Sequence, residues 1–329
     1  MISFYFTLGK EISESSFKKE YGSKFYINLS NELKKLLPNT VGFSPRNLSY
    51  IESFYILYRK ILQQVVAKFE ISQQKLLTTD DLLLSQTVIE KLVMIPWGHH
   101  CIIIDSCKDD PKKAWFYINK TIINNWSRSL LANFIKGELY EREGKGINNF
   151  DVTLPDINKT SCSQLAKDPY YFDFGELRAD YDEKALKKTL VDHVRELLIE
   201  LGKGFSFVDQ EYRIHVGQSD FYIDLLFYHI PLHRYVVVEV KTTKFKPEFL
   251  GQLNFYVTAI NKDIKGEKDD NTIGLLICRD KDGDVVRYSI ENYDIPLGVS
   301  SYELSRLIEE KCKEDLPTIE EVETEKDNQ

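Results

Sequence analysis

Two runs, DFYIDLLFYH at 220–229 and YVVVEVK at 235–241, constrain this chain more than anything else in it. Both read as strands, and the second is apolar enough to lie deep in a sheet. They carry Asp224, Glu239 and Lys241, with fourteen residues between the two acids. Successive side chains on a strand point to opposite faces, so Glu239 and Lys241 share one side while Val238 and Val240 take the other. Burying charge is costly unless it is paired or coordinates a metal. These charges therefore have a role beyond solvation.

The chain has 329 residues, enough for two domains, and 43% of them are hydrophobic, enough for real cores. Its net charge of -8 argues against a nucleic-acid partner only if it is evenly spread, and it is not. Residues 1–150 hold 20 Lys and Arg against 15 Asp and Glu. The acid excess lies beyond them, and the tail from Glu303 onward alone carries 10 acids against 4 bases. That tail reads as a solvated acidic segment. Five scattered cysteines with no CxxC spacing point to a reducing cytoplasm and away from zinc. No apolar run reaches the roughly 18 residues of a membrane span, and no signal pattern follows Met1. A soluble, cytoplasmic protein is expected.

Residues 1–150 read as mainly helical. Apolar residues recur at helical spacing over 49–69 and 87–93, and Ser44 followed by Pro45 marks a helix start. A run opened by Pro111 is followed by Trp126, Ser127 and a second run, SLLANFIKGELYERE. Two readings stand: an ordinary helical hairpin, or the helix-turn-helix part of a winged-helix domain with Ser127 as cap and Arg128 and Lys136 offered to phosphates. Residues 151–167, rich in Asn, Ser and Asp, read as a linker, and 168–300 as a second domain with an acidic tail over 301–329. The second domain reads as a helix over 182–201 capped by Asp182, strands at 205–216, 221–229 and 234–241, a helix from Pro247 to Ile260, and strands at 272–278 and 285–290. This order, helix, three strands, helix, two strands, implies an α/β domain with a mixed sheet flanked by helices.

An acid-bearing hairpin strand followed by a strand ending in Glu-x-Lys, between two helices, resembles the restriction-endonuclease-like PD-(D/E)xK nuclease superfamily. The chain is most similar to the YhcG-like family of that superfamily, through DPYYFDF, LIELGKGFSFV, DFYIDLLFYH, VVVEVK, FKPEFLGQLNFYV and TIGLLIC. GFSPRNL, IPWGHH and the WS at Trp126 resemble the family's N-terminal domain, so the likeness covers nearly the whole chain. FYFTLGKEI resembles a family segment that normally follows a further helix, which points to an upstream start codon.

The resemblance implies that Asp224 and Glu239 hold Mg2+ or Mn2+, with the Val240 carbonyl as a third oxygen. Lys241 would orient the attacking water and stabilise charge on the phosphorane. Gln252 would support the site or contact DNA, and Glu200 would complete the metal shell or hydrogen-bond its water. Each residue also has a plainer reading: Glu239 and Lys241 as a cross-strand salt bridge, Gln252 as surface, and Glu200 as a solvated helix end with Glu196 as a rival one turn away. Asp220 shares the strand face of Asp224 as either a supporting group or a turn residue. Ile223 stands where the superfamily pattern often has proline, a position that does no chemistry. His99 and His100 lack a third ligand at zinc spacing and read as a packed aromatic turn.

The expected function is a metal-dependent nuclease acting on DNA, in which residues 1–150 bind nucleic acid or join two copies of the chain. The alternatives are an inactive nucleic-acid-binding protein that keeps the fold, and a protein-interaction adaptor built on the helical half.

Overall fold

The structure, a computed structural model, describes residues 1–16, 24–37, 42–72, 90–155, 162, 164–172 and 181–304. The chain divides into two compact units, 1–140 and 141–329. Among the described residues no helix is long and apolar enough to cross a membrane.

The described part of the first unit contains helices and no strand. They are α1 (Ile2–Glu14), α2 (Phe25–Leu36), α3 (Pro45–Ser72), α4 (Trp97–Cys107), α5 (Pro111–Asn124) and α6 (Arg128–Lys136). Ser44 Oγ accepts the Asn47 N–H at 3.2 Å, which confirms the start expected at Ser44 and Pro45. Residues 90–93 are helical, and the rest of the run expected over 87–93 lies outside the described residues. Asp110 caps α5 ahead of Pro111, and Ser127 caps α6 through the Leu130 N–H at 3.2 Å. The helix, break and helix are therefore present, but among the described residues the unit has no strands from which to build a wing.

Aromatic packing organises this unit. The Phe54 ring lies 4.5 Å from Tyr58, 5.4 Å from Trp97 and 4.9 Å from His100 between centroids. His100 is fully buried; its Nδ1 pairs with the Tyr58 hydroxyl at 2.7 Å and its Nε2 with the Leu92 carbonyl at 3.0 Å. The expected aromatic packing is thus present around His100, but both histidines sit on the first turn of helix α4 rather than in a turn, with His99 Nε2 paired to the Trp126 carbonyl at 3.0 Å. Gly9 lets α1 lie directly on α3, because a Cβ there would collide with the Ile51 carbonyl oxygen and Tyr55 Cβ.

The second unit is built on a mixed seven-stranded sheet. Its strands are β1 (Ile147–Asn148), β2 (Tyr170–Phe172), β3 (Phe205–Val216), β4 (Ser219–His229), β5 (Arg234–Lys244), β6 (Ile273–Asp280) and β7 (Leu297–Leu304). The order is β1-β7-β6-β5-β4-β3, with β2 also pairing with β7. Strands β3, β4 and β5 run antiparallel as consecutive hairpins, while β5, β6 and β7 are parallel. Helices α8 (Glu183–Asp192) and α9 (Val194–Leu201) precede β3, α10 (Pro247–Ala259) links β5 to β6, and α11 (Gly283–Ile290) links β6 to β7.

Alternation along β5 divides the core in two. Val236, Val238 and Val240 join Leu186 and Leu190 of α8 in one cluster, while Val237 joins Leu250, Leu253 and Val257 of α10 in the other. Asp182 caps α8 by accepting the Ala185 N–H at 2.7 Å, and Gly202 ends α9 at a φ of 115°. The helix expected over 182–201 is broken at His193.

Three boundaries differ from the sequence reading. The described residues expected as a linker are part of the fold: the turn α7 (Phe150–Thr153) runs into that stretch, Leu154, Cys162, Leu165 and Ala166 lie in the core with Phe150, and β1 just before it pairs with β7. Hydrogen bonds from polar side chains hold this stretch down. Asn149 Nδ2 donates to the Tyr293 and Ile295 carbonyls at 2.9 Å, and Asn149 Oδ1 accepts the Leu297 N–H at 2.8 Å. Secondly, 285–290 is helix rather than strand. Asp282 caps it, and its buried residues, Val286 and Ile290, are one turn apart. The last strand is instead Leu297–Leu304, which enters the segment expected as tail; residues 305–329 lie outside the described residues.

Candidate active site

The ladder between β4 and β5 ends at the pair Leu225–Val238, and Asp224 and Glu239 are the next residues of the two strands. There the Val240 N–H is taken by a side chain, Asp224 Oδ2, at 3.0 Å. Helices from both faces of the sheet reach this end of it. From α8, Glu183 and Lys187 lie one turn apart and 2.8 Å from each other, between Oε1 and Nζ. From α10, the Phe249 ring lies 5.7 Å beneath the Lys241 ammonium.

The charges form an alternating chain. Lys187 Nζ lies 2.5 Å from Asp224 Oδ1. Lys241 Nζ lies 2.9 Å from Glu239 Oε1 and 3.2 Å from Glu183 Oε1. Glu239 is 1% exposed, and its Oε2 is buried with no hydrogen-bond partner. Native proteins rarely leave such an atom unsatisfied.

Burial, and then the charge of Asp224, push the Glu239 carboxyl up to about 7. Burial also raises Asp224, against the pull of Lys187 and the Val240 N–H. Burial works against the charge on Lys241, but Glu239 and Asp224 outweigh it and hold the ammonium above its ordinary range. Lys187 is raised in the same way by Asp224 and Glu183, and both lysines hold Glu183 below the usual carboxylate range despite its burial.

The structure thus brings Asp224, Glu239, Lys241 and Val240 together. Gln252 is exposed on α10, and its Nε2 donates to the Tyr256 hydroxyl at 3.0 Å. Burial raises that tyrosine, and the charges of Glu239 and Asp224 add to the shift.

Glu200 does not join the cluster. Both its carboxylate oxygens are held by Arg142, which binds Oε2 through Nη2 at 3.1 Å and Oε1 through Nη1, and Oε1 also accepts the Tyr171 N–H. It is neither a solvated helix end nor a neighbour of Glu239. Asp220 lies on β4 opposite His215, just after the β3–β4 turn, and pairs with Arg213 and His215 at 2.7 Å.

The sequence reading missed Glu183 and Lys187. The available signal was their spacing of four residues just inside a helix capped by Asp182, which puts them on one face at its first turn. Among the described residues no three His, Cys, Asp or Glu side chains group in a way that would hold a metal ion, so a cation here would rest on two carboxylates, backbone and water.

A mixed sheet with flanking helices, bearing Asp224 on a hairpin strand and Glu239-x-Lys241 on the next, is a restriction-endonuclease-like nuclease domain of the PD-(D/E)xK kind. Residues 163–317 match the family described as the YhcG PDDEXK nuclease domain, and residues 1–142 match the DUF1016 N-terminal domain. The chain therefore belongs to the YhcG-like family of PD-(D/E)xK nucleases. It is 24% identical over 328 residues to "Putative nuclease YhcG" of Escherichia coli (strain K12), a match that spans 96% of this chain and 86% of that one.

Two solved structures also match. One is a repair endonuclease from Pyrococcus abyssi, at 15% identity and a TM-score of 0.26, over 39% of this chain and 49% of that one. The other is an EndoMS complex with double-stranded DNA, at 16% identity and a TM-score of 0.27, over 40% of this chain and 48% of that one. The chain thus spans about half the length of each, and both TM-scores are too low to define a shared architecture.

Proposed function

We propose that the chain is a divalent-metal-dependent endonuclease that hydrolyses phosphodiester bonds in DNA at Asp224, Glu239 and Lys241. The observation that carries this reading is the pair of buried carboxylates, set side by side and both raised by burial, with Glu239 Oε2 unpartnered beside the Lys241 ammonium. Two such oxygen donors fit a hard cation that keeps several waters, Mg2+ or Mn2+. Asp224 and Glu239 would hold it, with the Val240 carbonyl as a third oxygen. Such an ion, when bound, supplies Lewis acidity at a phosphoryl oxygen.

Lys241 is held cationic by Glu239 and Glu183, and it serves to orient the attacking water and stabilise the charge that develops on phosphorus. Gln252, fixed through Tyr256 at the first turns of α10, contacts the nucleic acid. The first unit, whose residues belong to the net-basic first half of the chain, positions the substrate.

The test is cleavage of labelled duplex, branched and single-stranded DNA, with RNA alongside, in Mg2+ or Mn2+. Wild type cuts DNA, and a folded Lys241→Ala variant loses at least about a hundredfold in rate while still binding. Binding without cutting by either protein would assign the chain to the non-catalytic, nucleic-acid-binding class instead.

A further inference from the structure

The candidate site holds two lysines, and the Glu-x-Lys pattern accounts for only one of them. Lys187 Nζ lies 2.5 Å from Asp224 Oδ1, while Asp224 Oδ2 already accepts the Val240 N–H. Both oxygens of Asp224 are therefore engaged, one by backbone and one by an ammonium group. Glu239 differs, since Lys241 takes Oε1 and leaves Oε2 without a partner. A cation approaching the two carboxylates finds a free oxygen on Glu239 and a competing positive charge on Asp224.

Lys187 has somewhere else to go. Glu183 Oε1, one turn earlier on α8, lies 2.8 Å from it and can hold the ammonium without Asp224. The Lys187 side chain is also more exposed than that of Lys241, 22% against 11%, so it is the lysine nearer solvent.

We infer that Lys187 is a resident stand-in cation. It neutralises Asp224 while no divalent ion is bound and yields Oδ1 when the ion enters. It then turns, still anchored by Glu183, to a non-bridging oxygen of the incoming phosphodiester. This inference rests on the reading of Asp224 and Glu239 as metal ligands and adds a positioning residue to that site. Two buried carboxylates side by side repel each other, and a lysine that can leave satisfies one of them until the ion arrives.

Calorimetric titration of Mn2+ into the full-length protein, without nucleic acid, tests this. Lys187→Met removes the competitor and is expected to bind Mn2+ at least about fivefold more tightly than wild type, a difference of about 1 kcal/mol. Lys187→Gln repeats the test with a polar side chain, and Lys187→Arg, which keeps the charge, stays within about twofold of wild type. In cleavage assays Lys187→Met reaches half its maximal rate at lower Mn2+, with a lower maximum because the phosphate contact is lost.

A purely structural lysine would give weaker metal binding on removal, not tighter. Unchanged or weaker binding by Lys187→Met and Lys187→Gln, beside a wild type that binds, overturns this inference alone. Absence of Mn2+ binding by wild type and variants, all folded by circular dichroism, overturns the metal reading of the site and this inference with it.

Discussion

Arg142 grips both carboxylate oxygens of Glu200 in a pair whose side chains are only 4% and 8% exposed. The guanidinium also lies 4.6 Å from the Tyr171 ring centroid, and Glu200 Oε1 accepts the Tyr171 N–H. The pair therefore ties the start of the second unit and strand β2 to the end of α9. Removing one partner of a buried ion pair leaves the other uncompensated, at a cost of about 3–5 kcal/mol. Glu200→Ala should lower the urea midpoint accordingly, while the protein that remains folded at 25 °C keeps its cleavage rate per molecule. Loss of rate with full stability would return Glu200 to the active site.

Metal should stabilise the fold through the same atoms that bind it. An ion at about 100 times its Kd adds about 2.7 kcal/mol to the native state. The wild-type Tm is expected to rise with Mn2+ and to fall back on chelation. Asp224→Asn and Glu239→Gln should show no such rise. An equal rise in all three proteins would place the bound ion elsewhere.

His100 should make the first unit acid-sensitive. Burial lowers it from the ordinary value of 6.5 to about 4, so it is neutral in the fold and takes up a proton in the unfolded chain as pH drops below 6.5. Stability is then full above pH 6.5 and lost progressively between 6.5 and about 4, by about 2 kcal/mol on reaching pH 5. Urea unfolding at pH 7 and pH 5 measures the loss, and His100→Gln should make it smaller. An equal loss in the variant would assign the acid sensitivity to other groups.

One substitution should have opposite signs at two glycines. Gly9→Ala drives a methyl group into the Ile51 carbonyl and Tyr55 Cβ, and overpacking of this kind costs about 1–3 kcal/mol. Gly251→Ala, inside α10 with nothing within 4 Å of the new atom, should add up to about 1 kcal/mol. Thermal melts of the two variants on either side of wild type are the expected result.

Strands β3, β4 and β5 were legible because their apolar residues alternate or run together, and the resemblance fixed Asp224, Glu239 and Lys241 on them. Glu200 was misassigned because its partner, Arg142, lies 58 positions away on the far side of an expected domain boundary, and no local pattern announces such a pair. The stretch around 151–167 looked like a solvated linker because Asn and Asp residues mark loops by composition. Asn149 and Asp168 instead spend their side chains on backbone groups at 293–301, a use that composition cannot reveal. At 285–290 adjacent valines favoured a strand, but the cap at Asp282 and the spacing of Val286 and Ile290 belonged to a helix.

The placement of β7 has a consequence for synthesis on the ribosome. This last described strand lies between β6 and the much earlier β1, and it also pairs with β2. Until residues 297–304 have left the exit tunnel, residues 147–148 and 170–172 have no strand to join. A chain cut short before β7 therefore still contains β3 to β6, with Asp224, Glu239 and Lys241, but leaves β1 and β2 without a place in the sheet.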